Sequence, residues 1–107
     1  TIEPLVRERA FFTCDIGSPK SALTARWPRI SFGIIAEVWW PSLDETDDQV
    51  RERGRAFREK IVREGDWSGT LVVTHWGFIK ALTGETVTNG TALSFDPHGG
   101  TFGPLER

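Results

Sequence analysis

The sequence predicts an α/β domain, and three segments lead to that fold class. Residues 70–75, TLVVTH, form a continuous apolar and β-branched run, which is typical of a strand buried on both faces of a sheet. A helical pattern follows at once over residues 76–83 and stops at Gly84. Residues 46–64 carry apolar side chains at helical spacing. Strand, turn and helix in close succession favour an α/β layout, in which ligands bind at the carboxyl ends of the strands.

Composition narrows the functional classes. A chain of 107 residues fits one domain, and 13 Lys and Arg against 15 Asp and Glu give no general attraction for nucleic acid or an anionic membrane. The single cysteine, Cys14, excludes an internal disulfide, and we expect it to be buried or inert. No apolar run reaches the ~20 residues of a membrane helix, and the first residues lack a signal-peptide layout. We therefore expect a cytoplasmic protein.

The remaining short elements are predicted from local signals. Residues 1–6 are β-leaning and contain a proline, which indicates an edge strand. Ser18 followed by Pro19 predicts an N-cap and the first position of a helix over residues 19–26. Residues 90–97 predict a second strand.

The long helix over residues 46–64 has signals at both ends. Thr46 and Gln49 form a capping box, and Gly65 supplies the stop. Three arginines resemble a phosphate-binding stripe, but neighbouring acidic residues favour a solvated charged face. These arginines are Arg51, Arg55 and Arg58.

His75 lies where the predicted strand meets the helix. Free backbone N–H groups and the helix dipole favour an anion there, and Trp76 and Gly77 would supply such groups. The histidine ring can donate to a phosphoryl oxygen, or it can satisfy a local carbonyl. Position alone leaves both interpretations open.

Glu8 is flanked by Arg7 and Arg9 just after a predicted strand. The two arginines would hold the carboxylate ionised, which suits either acid–base chemistry or a surface salt bridge. The sequence has no cysteine pair, no HExxH motif and no glycine-rich phosphate loop. It therefore predicts neither a metal site nor a cofactor.

The segments EPLVRER and LVVTHWGFIKALTG, with DIGSPKSAL and WW between them, resemble the C-terminal portion of the histidine phosphatase superfamily, the phosphoglycerate-mutase-like proteins. The resemblance implies that residues 1–107 are part of a three-layer αβα domain with a mostly parallel sheet. It implies Glu8 as the proton donor and His75 as the second active-site histidine. It also implies phosphate binding by Arg9, Trp76 and Gly77.

The resemblance further implies phosphoryl transfer through a nucleophilic histidine in an Arg-His-Gly motif, and this sequence has no such motif. It also has no methionine, so we expect a chain that is processed or begins partway through a longer polypeptide. The expected partners are a phosphorylated small-molecule substrate of the parent phosphatase or mutase, and the missing N-terminal fragment or a second copy of the chain. The alternative is a non-catalytic α/β binding module that retains the scaffold. An upstream Arg-His-Gly motif in the gene would favour the enzyme.

Overall fold

The computed structural model describes residues 1–99 and the backbone of residues 103–104. The three α-helices are α1 (Lys20–Arg26), α2 (Asp47–Glu64) and α3 (Trp76–Thr83). Three single turns of 3-10 helix lie at Pro4–Val6, Thr13–Asp15 and Trp67–Gly69. Two short strands, β1 (Leu93–Ser94) and β2 (Gly103–Pro104), pair in antiparallel orientation.

Helix α2 begins and ends where the sequence predicts. The Gln49 backbone N–H donates to Thr46 Oγ1 at 3.1 Å, and the Thr46 N–H donates to Gln49 Oε1 at 2.8 Å, which completes the capping box. Gly65 follows the last turn with φ of 83°, a conformation that glycine adopts without strain. The two ends thus fix where α2 starts and stops, and with it which of its side chains face the core.

The core lies between α2 and α3. Val50 and Phe57 of α2 pack with Phe78 of α3, and Phe78 is fully buried. The rings of Phe57 and Phe78 meet edge to face with centroids 5.9 Å apart. Gly54 of α2 faces Leu82 of α3, and a β-carbon at position 54 would lie 3.4 Å from Leu82 Cδ1, in ordinary van der Waals contact. The position of α3 is therefore set by α2.

The predicted strand over residues 70–75 is wrong for the structure as it stands. The segment has no regular secondary structure, and the side chains of Leu71 and Val73 are 87% and 85% exposed. A strand exists only when a neighbouring backbone accepts its hydrogen bonds, and no such neighbour lies within residues 1–99. A mostly parallel sheet is likewise not seen in the described part of the chain, whose two strands are antiparallel.

The predicted edge strand over residues 1–6 is also wrong. Pro4–Val6 form a 3-10 turn, because the carboxylate of Glu3 accepts the Leu5 N–H at 3.0 Å and the proline occupies the first position of the turn. The second predicted strand, residues 90–97, is confirmed only at Leu93–Ser94.

Helix α1 is confirmed with a different start. It begins one residue after Pro19, and Ser18 does not cap it. The carboxylate of Glu37, from the loop that follows, accepts the Ser21 N–H at 3.2 Å. A side chain that is distant in sequence thus provides the cap that the local sequence predicts at Ser18. Cys14 was expected to be buried or inert; it is exposed, so burial is wrong, whereas its inertness stays a prediction.

The arginine stripe on α2 is mainly a solvated charged face. Exposed ion pairs join Arg51 to Asp48 and Arg55 to Glu52. Arg58 instead donates to the Leu82 carbonyl, across the gap to α3. Ion pairs of this kind within a helix explain the stripe without a phosphate ligand.

Candidate active site

Glu8 and His75 come together at the start of α3. His75 is the N-cap residue of this helix, and its carbonyl accepts the Ile79 N–H at 2.9 Å. The half-buried carboxylate of Glu8 reaches the first turn of this helix, where Oε2 accepts the Gly77 N–H at 3.2 Å. Glu8 therefore caps a helix that lies 69 residues away in sequence. A carboxylate at this position is stabilised by the positive end of the helix dipole.

Gly77 is required by this contact. A β-carbon at position 77 would overlap Glu8 Oε1 and would lie 3.4 Å from Arg9 Cβ. Any larger residue would displace either the carboxylate or the start of α3. The close approach of Glu8 thus explains why a glycine follows Trp76.

A second contact joins the same two segments. The hydroxyl of Thr74 donates to the carbonyl of Val6 at 2.5 Å. Thr74 precedes His75, and Val6 lies two residues before Glu8. The hydroxyl–carbonyl bond and the Glu8–Gly77 bond therefore fix residues 6–8 against residues 74–77.

The ring of His75 is exposed to a cleft of about 800 Å³. The cleft runs between the N-terminal residues 1–7, the end of α2 and the extended residues 70–75. Its charged lining comprises Arg7, Lys60 and three acidic residues, Glu3, Glu64 and Asp66. The structure gives the ring of His75 no hydrogen-bond partner among residues 1–99. Glu8 contacts the first turn of α3 at Gly77 and does not line this cleft.

Two of the three residues predicted to bind phosphate already donate hydrogen bonds within the chain. The Gly77 N–H donates to Glu8, as described above. Arg9 donates to the Glu45 carbonyl at 3.0 Å and to Asp47 Oδ1 at 2.5 Å. The indole of Trp76 is 47% exposed. Arg9 is therefore turned toward the start of α2.

Sequence reasoning missed a buried ionic cluster behind Glu8. Arg53 and Glu45 are 7% and 6% exposed, and the guanidinium donates to both carboxylate oxygens of Glu45, at 3.1 and 2.8 Å. Arg7 lies 3.6 Å from the same carboxylate. Arg53 occupies the apolar face of α2 between Val50 and Phe57, and this spacing was the available signal.

The cluster sets the protonation of its members. Burial alone raises the pKa of Glu45, but hydrogen bonds from Arg53 and from the Ala10 N–H outweigh it, so the pKa lies below the usual range. Burial, and then the charge of Arg53, lowers the pKa of Arg7. Glu45 is therefore ionised at neutral pH and holds the guanidinium of Arg53 in one orientation.

The part of the chain that the structure describes has neither a cluster of metal-binding side chains nor a membrane-spanning helix. No group of three or more His, Cys, Asp or Glu side chains in that part of the chain is placed to hold a metal ion. None of the helices there combines the length and apolar character needed to cross a membrane.

Comparison with known proteins gives one match. No curated protein and no solved structure matches the chain. A family model, that of the histidine phosphatase superfamily (branch 1), matches residues 1–98 and so covers both Glu8 and His75. The domain of this superfamily is α/β. The chain belongs to the histidine phosphatase superfamily.

Proposed function

We propose that this chain supplies the proton-donating half of a phosphoryl-transfer site in a phosphatase or mutase. In this proposal Glu8 is the general acid and base, and His75 donates a hydrogen bond to a phosphoryl oxygen. The nucleophilic histidine belongs to a segment outside the chain. The observation that carries the proposal is the position of Glu8, whose carboxylate lies against the helix that His75 begins.

The local geometry supports an anion at this place. The ring of His75 is exposed, and the helix start directs backbone N–H groups outward. A phosphoryl group bound beside Glu8 would meet the ring of His75 and the free N–H of Trp76 at the start of α3. Glu8, held beside that group by the Gly77 N–H, would take up a proton from solvent and then donate it to the leaving oxygen. Arg9 would contribute by exchanging Asp47 for the phosphate.

The second histidine of the chain is a poor substitute for the missing nucleophile. Nδ1 of His98 lies 3.1 Å from Asp96 Oδ1, and its ring packs edge to face on Trp67 with centroids 5.5 Å apart. His98 does not line the cleft at His75. We therefore assign the nucleophile to another segment.

The segment that we propose is a strand pairing with residues 71–73. Their backbone N–H groups make no hydrogen bond within residues 1–99, and the side chains of Leu71 and Val73 are exposed beside the cleft. An unpaired apolar edge of this kind recruits another strand. A strand ending in Arg-His-Gly, from the N-terminal part of the same protein, would place its histidine near His75 and build the parallel sheet of a three-layer domain.

The test compares the 107-residue chain alone with the chain co-expressed with the upstream part of its gene product. We expect the chain alone to be inactive on p-nitrophenyl phosphate, and to be poorly soluble or dimeric in sedimentation. The co-expressed complex should hydrolyse the ester. Glu8→Gln should lower that rate by about 10²- to 10⁴-fold, and His75→Ala by about 10²- to 10³-fold. His98→Ala, the matched control, should retain the activity.

Pairing of residues 71–73 can be tested separately. Val73→Lys should prevent co-purification of the upstream segment, because it places a charge in the new interface. Ile34→Lys is the control, since Ile34 is fully exposed on a different loop.

Two results would contradict the proposal. An active monomer of the chain alone, inactivated by His75→Ala, would mean that this chain builds its own complete site. A complex that forms but hydrolyses no phosphate ester would favour the non-catalytic α/β module.

A further inference from the structure

One side chain fixes the backbone on both sides of Glu8. Arg53 Nη1 donates to the carbonyls of Leu5 and Arg7, both at 2.7 Å, and Nη2 lies 3.5 Å from the carbonyl of Glu8. The guanidinium reaches these groups from α2, 45 to 48 residues away in sequence. The turn that presents Glu8 is therefore held by a residue of a rigid helix.

The guanidinium is itself held from two directions. The carboxylate of Glu45 accepts two of its hydrogen bonds, and the guanidinium carbon lies 5.2 Å from the centre of the Phe78 ring. Phe78 is the residue after Gly77, to which Glu8 bonds. Arg53 thus contacts both sides of the Glu8–Gly77 hydrogen bond, the backbone of Glu8 and the first turn of α3.

We propose that Arg53 is a positioning residue, which acts through Glu8 by holding the carboxylate against the start of α3. The proposal rests on the proposed function only in giving Glu8 a catalytic role. A lysine keeps the positive charge but lacks the planar fork that bonds to Glu45 and to the carbonyls together. Because the distance from the Gly77 nitrogen to Glu8 Oε2 is already 3.2 Å, at the upper end of the range for such a hydrogen bond, a small shift of the turn will break it.

The Gly77 amide is a direct reporter of this contact. Trp76-Gly77 is the single Trp-Gly pair in the sequence, so a chain labelled with carbonyl-¹³C tryptophan and ¹⁵N glycine gives one Trp-Gly cross-peak in an HNCO spectrum. The same labelling isolates this signal when an unlabelled upstream segment is bound. Glu8→Gln defines the position of the cross-peak when the carboxylate is lost.

We expect Arg53→Lys to move the Gly77 cross-peak in the same direction as Glu8→Gln. Glu45→Gln, which keeps Arg53 but weakens its orientation, should move the peak less. Arg51→Lys is the matched control, because Arg51 is exposed on the same helix and its one ion-pair partner among residues 1–99 is Asp48. That variant should leave the cross-peak unchanged. In the active complex, Arg53→Lys should lower kcat with little change in KM.

The outcomes separate this proposal from the proposed function. A folded Arg53→Lys protein with an unmoved Gly77 cross-peak would overturn the positioning role, even if the complex is active. Unfolding of both Arg53→Lys and Glu45→Gln, while Arg51→Lys folds, would also overturn it by assigning Arg53 to stability alone. A cross-peak that moves as expected in a complex without phosphatase activity would support the positioning of Glu8 and reject the catalytic role.

Discussion

Removing the Phe78 ring should cost the chain a large part of its stability. Phe78 is 0% exposed, and its ring contacts Phe57 and the guanidinium of Arg53. Truncation of a buried phenylalanine to alanine costs about 3–5 kcal/mol, against a total stability of about 5–15 kcal/mol for a domain. We expect Phe78→Ala to lower the free energy of unfolding by about 4 kcal/mol.

The measurement is urea denaturation at neutral pH, with Phe12→Ala as the control. Phe12 loses the same atoms, but its side chain is 63% exposed and contacts mainly Phe11. That contact contributes about 0.5–1.5 kcal/mol, so the control should lose no more than this. Equal losses in the two variants would refute the conclusion that the α2–α3 interface is the core of the chain.

Three further predictions concern charge and helix ends. The low pKa of Glu45 stabilises the folded chain above the usual glutamate value of about 4.3, and this contribution is lost as the pH falls through the lower folded-state value. Glu45→Gln should therefore weaken the change of the urea midpoint with pH in the acidic range. An unchanged pH dependence would contradict the lowered pKa of Glu45. Thr46→Ala removes a capping bond and should cost about 1 kcal/mol by the same assay, whereas no loss would mean that the cap is not formed. Gly84→Ala forces alanine to φ of 78° and should cost roughly 1–2 kcal/mol, more than Gly69→Ala at an unstrained position.

The helices could be predicted because their signals are local. The capping box of Thr46 and Gln49 and the left-handed glycines at positions 65 and 84 each depend on residues within one turn. The start of α1 was misplaced because its cap comes from Glu37, which is distant in sequence. Local rules fail where tertiary contacts provide the missing partner.

The residues of the candidate site could be predicted from the sequence, but the residue that holds Glu8 in place could not. Glu8 and His75 were identified from their neighbours and from the family resemblance, and the structure brings them to one helix start. Their catalytic roles stay predictions. Arg53 was not identified because a charged residue on an apolar helix face is read as an exception to the pattern. Its partners are backbone carbonyls far along the chain, and no sequence rule connects them.

The TLVVTH segment shows why a correct pattern can predict an element that the chain does not form. Continuous apolar residues indicate burial on both faces, but burial requires partners that the other described residues do not place around Leu71 and Val73. Full burial of each of these side chains would contribute about 1.5–3 kcal/mol, so the two together offer about 3–6 kcal/mol to a strand that covers them. Each buried side chain thus contributes more than each new backbone hydrogen bond, whose net gain is about 0.5–1.5 kcal/mol. Side-chain burial, more than backbone pairing, is therefore what would drive a second segment to dock here and bring a nucleophile to His75.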